Sequence, residues 1–223
     1  MQSEDSKEAN KIIQTLLDDL STCISQKGQS GIDARTAIGD LKIQALVLLS
    51  QDAIGPQLLN CFDLVVQAGA LRTQIDWVRM RLSTIPVPVT VGATMVQNSC
   101  IALCLATEAD IIGAMTFTSF QDVETVIDSL QEPFQDAIES AADEMDQATY
   151  QALLSLASTL VNFLVTTARP LPRMINYQFT DTLPSLVIAH RLYADSRRAD
   201  EIRQENKIVH PAFCPRQGRA LSS

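Results

Sequence analysis

The chain has 223 residues, 46% hydrophobic and 19% charged, a balance that builds a buried core and excludes a disordered chain of high charge density. Eight Gly and nine Pro are few for an all-β protein of this length, so the composition predicts a mostly α fold. The net charge of -9 divides into -13 over residues 1–168 (8 Lys/Arg, 21 Asp/Glu) and +4 over 169–223 (9 Lys/Arg, 5 Asp/Glu), so only the last quarter carries the cations that phosphate binding needs.

In residues 4–26, Ile12, Ile13, Leu16, Leu17, Leu20 and Ile24 recur at three- and four-residue steps and predict an amphipathic helix. Residues 27–31 (KGQSG) break it, and Asp33 is placed to cap a second helix. That helix carries an almost continuously apolar run at 43–49, which predicts burial on several sides. Gly55 and Pro56 end it, and Pro56 suits the first turn of a third helix reaching Leu82, with Phe62 and Trp77 at core spacing. Pro86 and Pro88 make 83–90 an extended connector. A buried helix follows from Thr94 to about Met115. Ser119 then caps an acidic helix that has Asp122 and Glu124 in its first turn and that Pro133 interrupts. Residues 147–167 return as an apolar helix, giving an acidic bundle of about five to six helices over residues 1–170.

The prolines of 169–172 (RPLP) mark the best boundary, and composition turns basic behind them. Residues 174–179 (MINYQF) read as a short strand. Asp181 or Thr182 caps a helix through Tyr193, and Asp195 or Ser196 opens a second one ending near Asn206. An extended segment at 219–222 is placed to pair with the first strand, so 171–223 is predicted to be a small basic α+β module of order β-α-α-β.

Little in the sequence supports catalysis. The two histidines both fall late: His190 within a helix, and His210 before Pro211, where it sets a turn. Cys100 and Cys104 stand four apart without a second ligand pair and read as buried thiols, so no catalytic residue, metal or cofactor is assigned. Five scattered cysteines and the lack of a leader-like start predict cytosolic synthesis with reduced thiols. Two uncharged runs, 83–107 and 147–168, exceed the roughly 20 residues that cross a bilayer. Their prolines and amide or hydroxyl side chains favour core or inter-subunit helices, and no membrane span is expected.

The segment 168–221 resembles the C-terminal end of phage DNA circularization (circulation) proteins of Mu-like phages, a LysM-like module. The resemblance rests on Leu183, Pro184, Val187, Ile188, Ala189, Arg191, Leu192 and Tyr193, then Arg198, Ala199, Asp200, Glu201 and Ile202, then Asn206, His210, Pro211, Phe213 and Pro215. The helical body resembles the family's middle region in composition and segment order alone. The resemblance implies a structural component of the tail baseplate and hub region, made in the host cytoplasm and placed in several copies in the virion tail. It also implies binding to hub, tube or wedge proteins. Arg191, Arg197, Arg198, Arg203 and Lys207 form a cationic surface suited to docking an acidic neighbour.

Two alternatives follow from the same resemblance: binding of N-acetylglucosamine polymers such as peptidoglycan in the manner of other LysM modules, and binding of injected DNA ends. The acidic body gives the DNA role no electrostatic support. The chain also departs from the family. It has no counterpart of an N-terminal tube-like β domain, which implies a fragment, a split product or a shortened relative. Ala194 stands where the family commonly has Gly, so an ordinary backbone is expected there, and the family's Pro-Gly-Gly turn is replaced by Pro215-Arg216-Gln217-Gly218.

Overall fold

A computed structural model describes residues 3–222. The fold is mostly helical with one small sheet. Helices α1 (Ser3–Thr22), α2 (Gln29–Ser50), α3 (Gly55–Gln67), α4 (Arg72–Thr84), α5 (Val91–Gly113), α6 (Phe120–Asp143) and α7 (Gln147–Ala168) precede strand β1 (Met174–Gln178). Helix α8 (Ser185–Tyr193), a 3-10 turn (Ser196–Arg198), α9 (Ala199–Glu205) and β2 (Gln217–Leu221) complete the order.

The chain forms two compact units, Met1–Met115 with Leu130–Leu160, and Thr116–Ser129 with Val161–Ser223. The division falls inside α6 and α7. Asp122, Glu124 and Asp128 thereby join the second unit, which counts 9 Lys/Arg against 8 Asp/Glu and is close to neutral.

In the first unit the stripe read from the sequence is the centre of the core. Ile12, Ile13, Leu16, Leu17, Leu20 and Ile24 are all buried, and α1 packs on α2, α4 and α5. Each such side chain contributes roughly 1.5–3 kcal/mol of burial free energy. Cys100 and Cys104 are buried in the same cluster from α5.

Several local expectations give way to tertiary structure. Helix α2 starts at Gln29, ahead of Asp33, which lies inside the helix and accepts a hydrogen bond from Gln29 Nε2 at 2.7 Å. The early start is possible because Gly31 lies against the Gln26 carbonyl, where a Cβ would stand 2.0 Å from the oxygen. The third helix is two, α3 and α4, since Gly69 adopts a left-handed backbone (φ 81°). The turn around Gly69 is pinned by Ser25 Oγ, which donates to the Gly69 carbonyl at 2.8 Å, and the described residues up to 170 therefore form seven helices instead of five to six. Within the 43–49 run, Ile43, Leu46 and Val47 are exposed while Ala45, Leu48 and Leu49 are buried, so α2 is apolar on two opposite faces. Trp77 is 45% exposed, its ring lying 5.4 Å from the Arg81 guanidinium one helical turn on.

Pro133 does not interrupt α6. The buried stripe Val123, Val126, Leu130, Phe134 and Ala141 runs straight past it, and burying that stripe outweighs the one backbone bond that proline cannot donate. The Ser119 cap is present as a reciprocal pair: the Asp122 amide donates to Ser119 Oγ (3.2 Å) and the Ser119 amide to Asp122 Oδ2 (2.9 Å). By length and composition α5 and α7 are long and apolar enough to cross a membrane. Ala93, Cys100, Cys104, Leu105 and Ile112 of α5 are buried, whereas α7 buries Leu153, Leu160 and Leu164 and exposes Leu154, Val161, Phe163 and Val165.

Candidate partner-docking surface

The C-terminal module is closed by its sheet. Strand β1 pairs antiparallel with β2, matching Met174 with Leu221, Tyr177 with Gly218 and Gln178 with Gln217. Two further backbone bonds extend the ladder, Phe179 N to Arg216 O (2.8 Å) and Ser222 N to Arg173 O (2.7 Å). On the far side of Arg173 the start of α6 adds support within the same unit. The Phe120 amide donates to the Pro172 carbonyl at 3.0 Å, the Met174 amide donates to Gln121 Oε1 at 2.6 Å, and Arg173 covers the Phe120 ring at 4.9 Å.

The order β-α-α-β is as expected, but its helix starts differ. Neither Asp181 nor Thr182 caps α8. Pro184 occupies that position in extended conformation, and the Ser185 amide donates across to the Pro211 carbonyl at 2.8 Å, so the 211 loop satisfies a helix end that has no side-chain cap. Leu183 sits beside this junction, bridged to Cys214 whose amide donates to its carbonyl at 3.1 Å. Asp195 does cap the next turn, accepting from the Arg197 amide at 2.9 Å.

Ala194 is left-handed (φ 56°, ψ 17°), contrary to the ordinary backbone expected of alanine. Its amide closes α8 onto the His190 carbonyl at 2.9 Å, and the reversal lets the chain turn at once into the 3-10 segment. A left-handed alanine costs roughly 1–2 kcal/mol, so Ala194→Gly is expected to stabilise this unit by ~1 kcal/mol, read as a higher urea midpoint of the C-terminal transition.

The residues between 183 and 215 range from buried to fully exposed. Ile188, Ala189, Ala199 and Ile202 form the module core with Tyr177, Cys214 and Ala220. Asn206 acts as a latch. Its Nδ2 donates to the Ile202 and Arg219 carbonyls (2.8 and 2.7 Å), and its Oδ1 accepts from the Arg219 amide (2.7 Å), joining α9 to β2. Half-buried Tyr193 lies under Arg198, whose guanidinium is 3.8 Å from the ring centre. Leu183 and Leu192 pack half-buried against that core, while Pro184, His210, Pro211 and Phe213 face out. Val209 is 95% and Phe213 70% exposed, His210 stacks on Phe213 at 5.2 Å, and the His210 Nδ1 accepts from the Ala212 amide at 3.4 Å.

Beside this apolar edge runs an open groove of about 420 Å³, with Pro184, Leu186, Pro211 and Ala212 on its apolar wall and Ser196, Arg197, Asp200 and Arg203 on its polar one. The expected cations are largely paired within the module. Arg197 meets Asp195 (3.1 Å), Arg198 meets Glu201 (2.8 Å) and Arg203 meets Asp200 (2.7 Å). The Arg191 guanidinium lies 5.5 Å from the Phe179 ring. Lys207, exposed and left-handed (φ 51°), borders a second shallow hollow with Asp200, Arg203 and Ile208. Two consequences follow: the polar wall presents ion pairs in place of bare charge, and the distinctive exposed chemistry is apolar, from Leu186, Val209 and Phe213. The sequence reading passed over Leu186 and Val209. Their signal was present, since both lie at hydrophobic positions flanking the Pro184 and Pro211 turns.

The first unit holds a different kind of polar centre. Glu108, with no exposed surface, accepts from Arg79 Nε at 3.0 Å, and Arg72 Nη1 stands 3.7 Å from its other oxygen. Arg79 also bonds Asp76. Burial pushes the Glu108 carboxyl above its ordinary range, with Arg79 working against that shift. A groove of about 360 Å³ borders Arg79, lined also by Gln97, Asn98, Pro133 and Asp136. Because Arg79 spends its donors on Glu108 and Asp76, this centre is read as structural.

Burial also pushes the Cys100 thiol up to about 12, and holds Cys104 well above the usual range with help from Cys100 and Glu108. Thiols so protonated are poor nucleophiles and poor ligands. Among the described residues no group of three or more His, Cys, Asp or Glu is placed to hold a metal ion.

Fold and surface thus define a mostly helical protein ending in a β-α-α-β module with an exposed apolar edge. Neither protein-family models nor curated proteins give a match to this chain.

Proposed function

We propose that this chain is a structural component of a phage tail baseplate or hub region that works by protein–protein assembly, with the β-α-α-β end serving as a LysM-like docking module. The observation that carries the reading is how the family-like residues divide. Ile188, Ala189, Ile202 and Asn206 build and lock one small fold, while Pro184, His210, Pro211 and Phe213 gather at one exposed edge beside a groove. An exposed aromatic on the loop that also lines a groove with ion pairs on its polar wall suits protein docking, where aromatic anchors carry most of the binding energy.

Phe213→Ala is expected to weaken binding of the full chain to its tail partner by about 30-fold or more, the equivalent of a ~2 kcal/mol anchor, with unchanged circular dichroism. The measurement is a titration of the purified chain against purified hub, tube and wedge proteins. Binding to none of the three, or binding indifferent to Phe213→Ala, would count against the proposal.

A glycan reading is favoured by one observation, the groove between Pro184, Pro211 and Ser196, whose apolar wall suits a sugar face. Sedimentation with peptidoglycan and calorimetry with chitin oligomers separate it from protein docking. DNA-end binding draws no such support, because Arg197, Arg198 and Arg203 face their own carboxylates and the unit that holds them is close to neutral.

A further inference from the structure

We propose that the outward face of α2 is a self-association surface, on which a second copy of this chain lays its own α2, parallel and in register. The idea deepens the assembly reading above, on which its role in a multi-copy structure rests, while the surface itself is argued from α2 alone.

Helix α2 has two apolar faces. Ala34, Ile38, Leu41, Ala45 and Leu48 are buried toward α1 and α3. The opposite face carries Ile32, Thr36, Gly39, Ile43, Leu46 and Ser50, spaced by 4, 3, 4, 3 and 4 residues. Within it, positions 32, 39 and 46, and likewise 36, 43 and 50, repeat at seven residues, the heptad spacing at which two helices can lay such stripes together. Ile32 is 52%, Ile43 83% and Leu46 44% exposed, so the seam is open. At its middle, Gly39 has nothing within 4 Å of where a Cβ would sit, leaving a notch into which another backbone can come close. The seam covers about 27 Å at the helical rise, short for an isolated coiled coil. Here, however, α1 and α3 already hold α2 helical, which removes the ordering cost from association.

Charge selects the occupant and its direction. Asp33 and Asp40 flank the seam on one edge, and Arg35 and Lys42 on the other. In a parallel, in-register pair, residues on the second edge face those five positions further on along the first edge of the other helix, so Arg35 faces Asp40 of the second copy, and the twofold repeats the contact. An antiparallel pair would set like edges together, aspartate against aspartate and cation against cation, which is unfavourable. Both cations also have contacts within the chain: Lys42 Nζ donates to Asp18 at 2.5 Å, and Arg35 donates to the Ile24, Gln26 and Gly31 carbonyls at 3.1–3.5 Å. The Lys42 charge is thereby offset by Asp18, so the charge match across the pair rests on Arg35 and Asp40.

The test uses the full chain. Sedimentation velocity of the wild type is expected to show a dimer or larger multiple, and Ile43→Glu to raise the dissociation constant at least tenfold with unchanged circular dichroism. In a second variant, Ile43→Cys, the two introduced thiols meet across the axis of a parallel pair and are expected to form a disulfide-linked dimer under mild oxidation. The five native cysteines are all buried and do not compete. A monomeric wild type overturns the proposal, as does an oligomer indifferent to Ile43→Glu. An oligomer that cross-links only when Thr36→Cys and Ile43→Cys chains are mixed overturns the parallel register. Failure here is distinct from failure of the docking module, because Phe213→Ala is expected to leave the mass of the oligomer unchanged.

Discussion

Glu108→Ala is expected to destabilise the first unit by about 3 kcal/mol, at the low end of the ~3–5 kcal/mol that follows removal of one partner from a buried ion pair. The cost arises from what stays behind. Arg79 is 8% exposed, and with Glu108 gone Asp76 is the one carboxylate among the described residues that is ion-paired with it. Removing both charges with apolar residues of similar length, Arg79→Met with Glu108→Leu, is expected to cost much less than the single change, since no buried charge is stranded. Urea denaturation of the three variants checks this; a double variant worse than Glu108→Ala would contradict it.

Glu108 also sets the sign of a pH effect. Its carboxyl is raised in the folded protein by burial, so the native state binds a proton more tightly than the unfolded chain. Stability carried by this group is therefore present at low pH and falls as pH climbs from the ordinary carboxyl range through the raised folded value. Glu108→Gln removes that slope. Glu8 acts with the opposite sign: it accepts from Thr90 Oγ1 (2.6 Å) and from the Val89 and Thr90 amides (2.9 Å each), bonds that hold its carboxyl below the usual range, so its contribution is lost as pH falls.

Gly218→Ala is the second large effect, expected to cost about 1–3 kcal/mol in the C-terminal module through overpacking. A Cβ at that position would stand 2.4 Å from Asn206 Oδ1 and 2.5 Å from the Tyr177 hydroxyl. Free side-chain ends would move aside at little cost, but these two are fixed: Tyr177 is buried in the module core, and Asn206 holds both groups of Arg219. Relief therefore breaks either the strand pairing or the latch. Limited proteolysis is expected to cut the variant first between 206 and 217, and retention of wild-type resistance would show that the junction is looser than drawn.

How much of this was legible in the sequence depends on whether the signal was local. The α1 stripe, the Ser119 cap and the strand pairing follow from spacing and side-chain chemistry within a few residues, and each is found. The two faces of α2 were not separable, because a run such as IQALVLL reads the same whether one face or both are covered. Burial there is decided by α1 and α3, which are distant in sequence. Pro133 and Ala194 were judged by propensity, and in both cases packing overrode a cost of one to a few kcal/mol. The Glu108 centre did leave a trace. Ala93, Gln97, Cys100, Cys104 and Glu108 follow one another at helical steps along the buried side of α5, and a carboxylate on that line implied a buried cation opposite. The docking groove left none, since it forms only when the Pro184 and Pro211 turns meet.

The function proposed for this chain is assembly as a part of a phage tail. Immunogold labelling of purified tail particles, from the strain that carries the gene, tests it most directly with an antibody against the full chain. Label concentrated at the distal end of the tail is the predicted result. Particles that are free of label while the chain is abundant in the same lysate would contradict it.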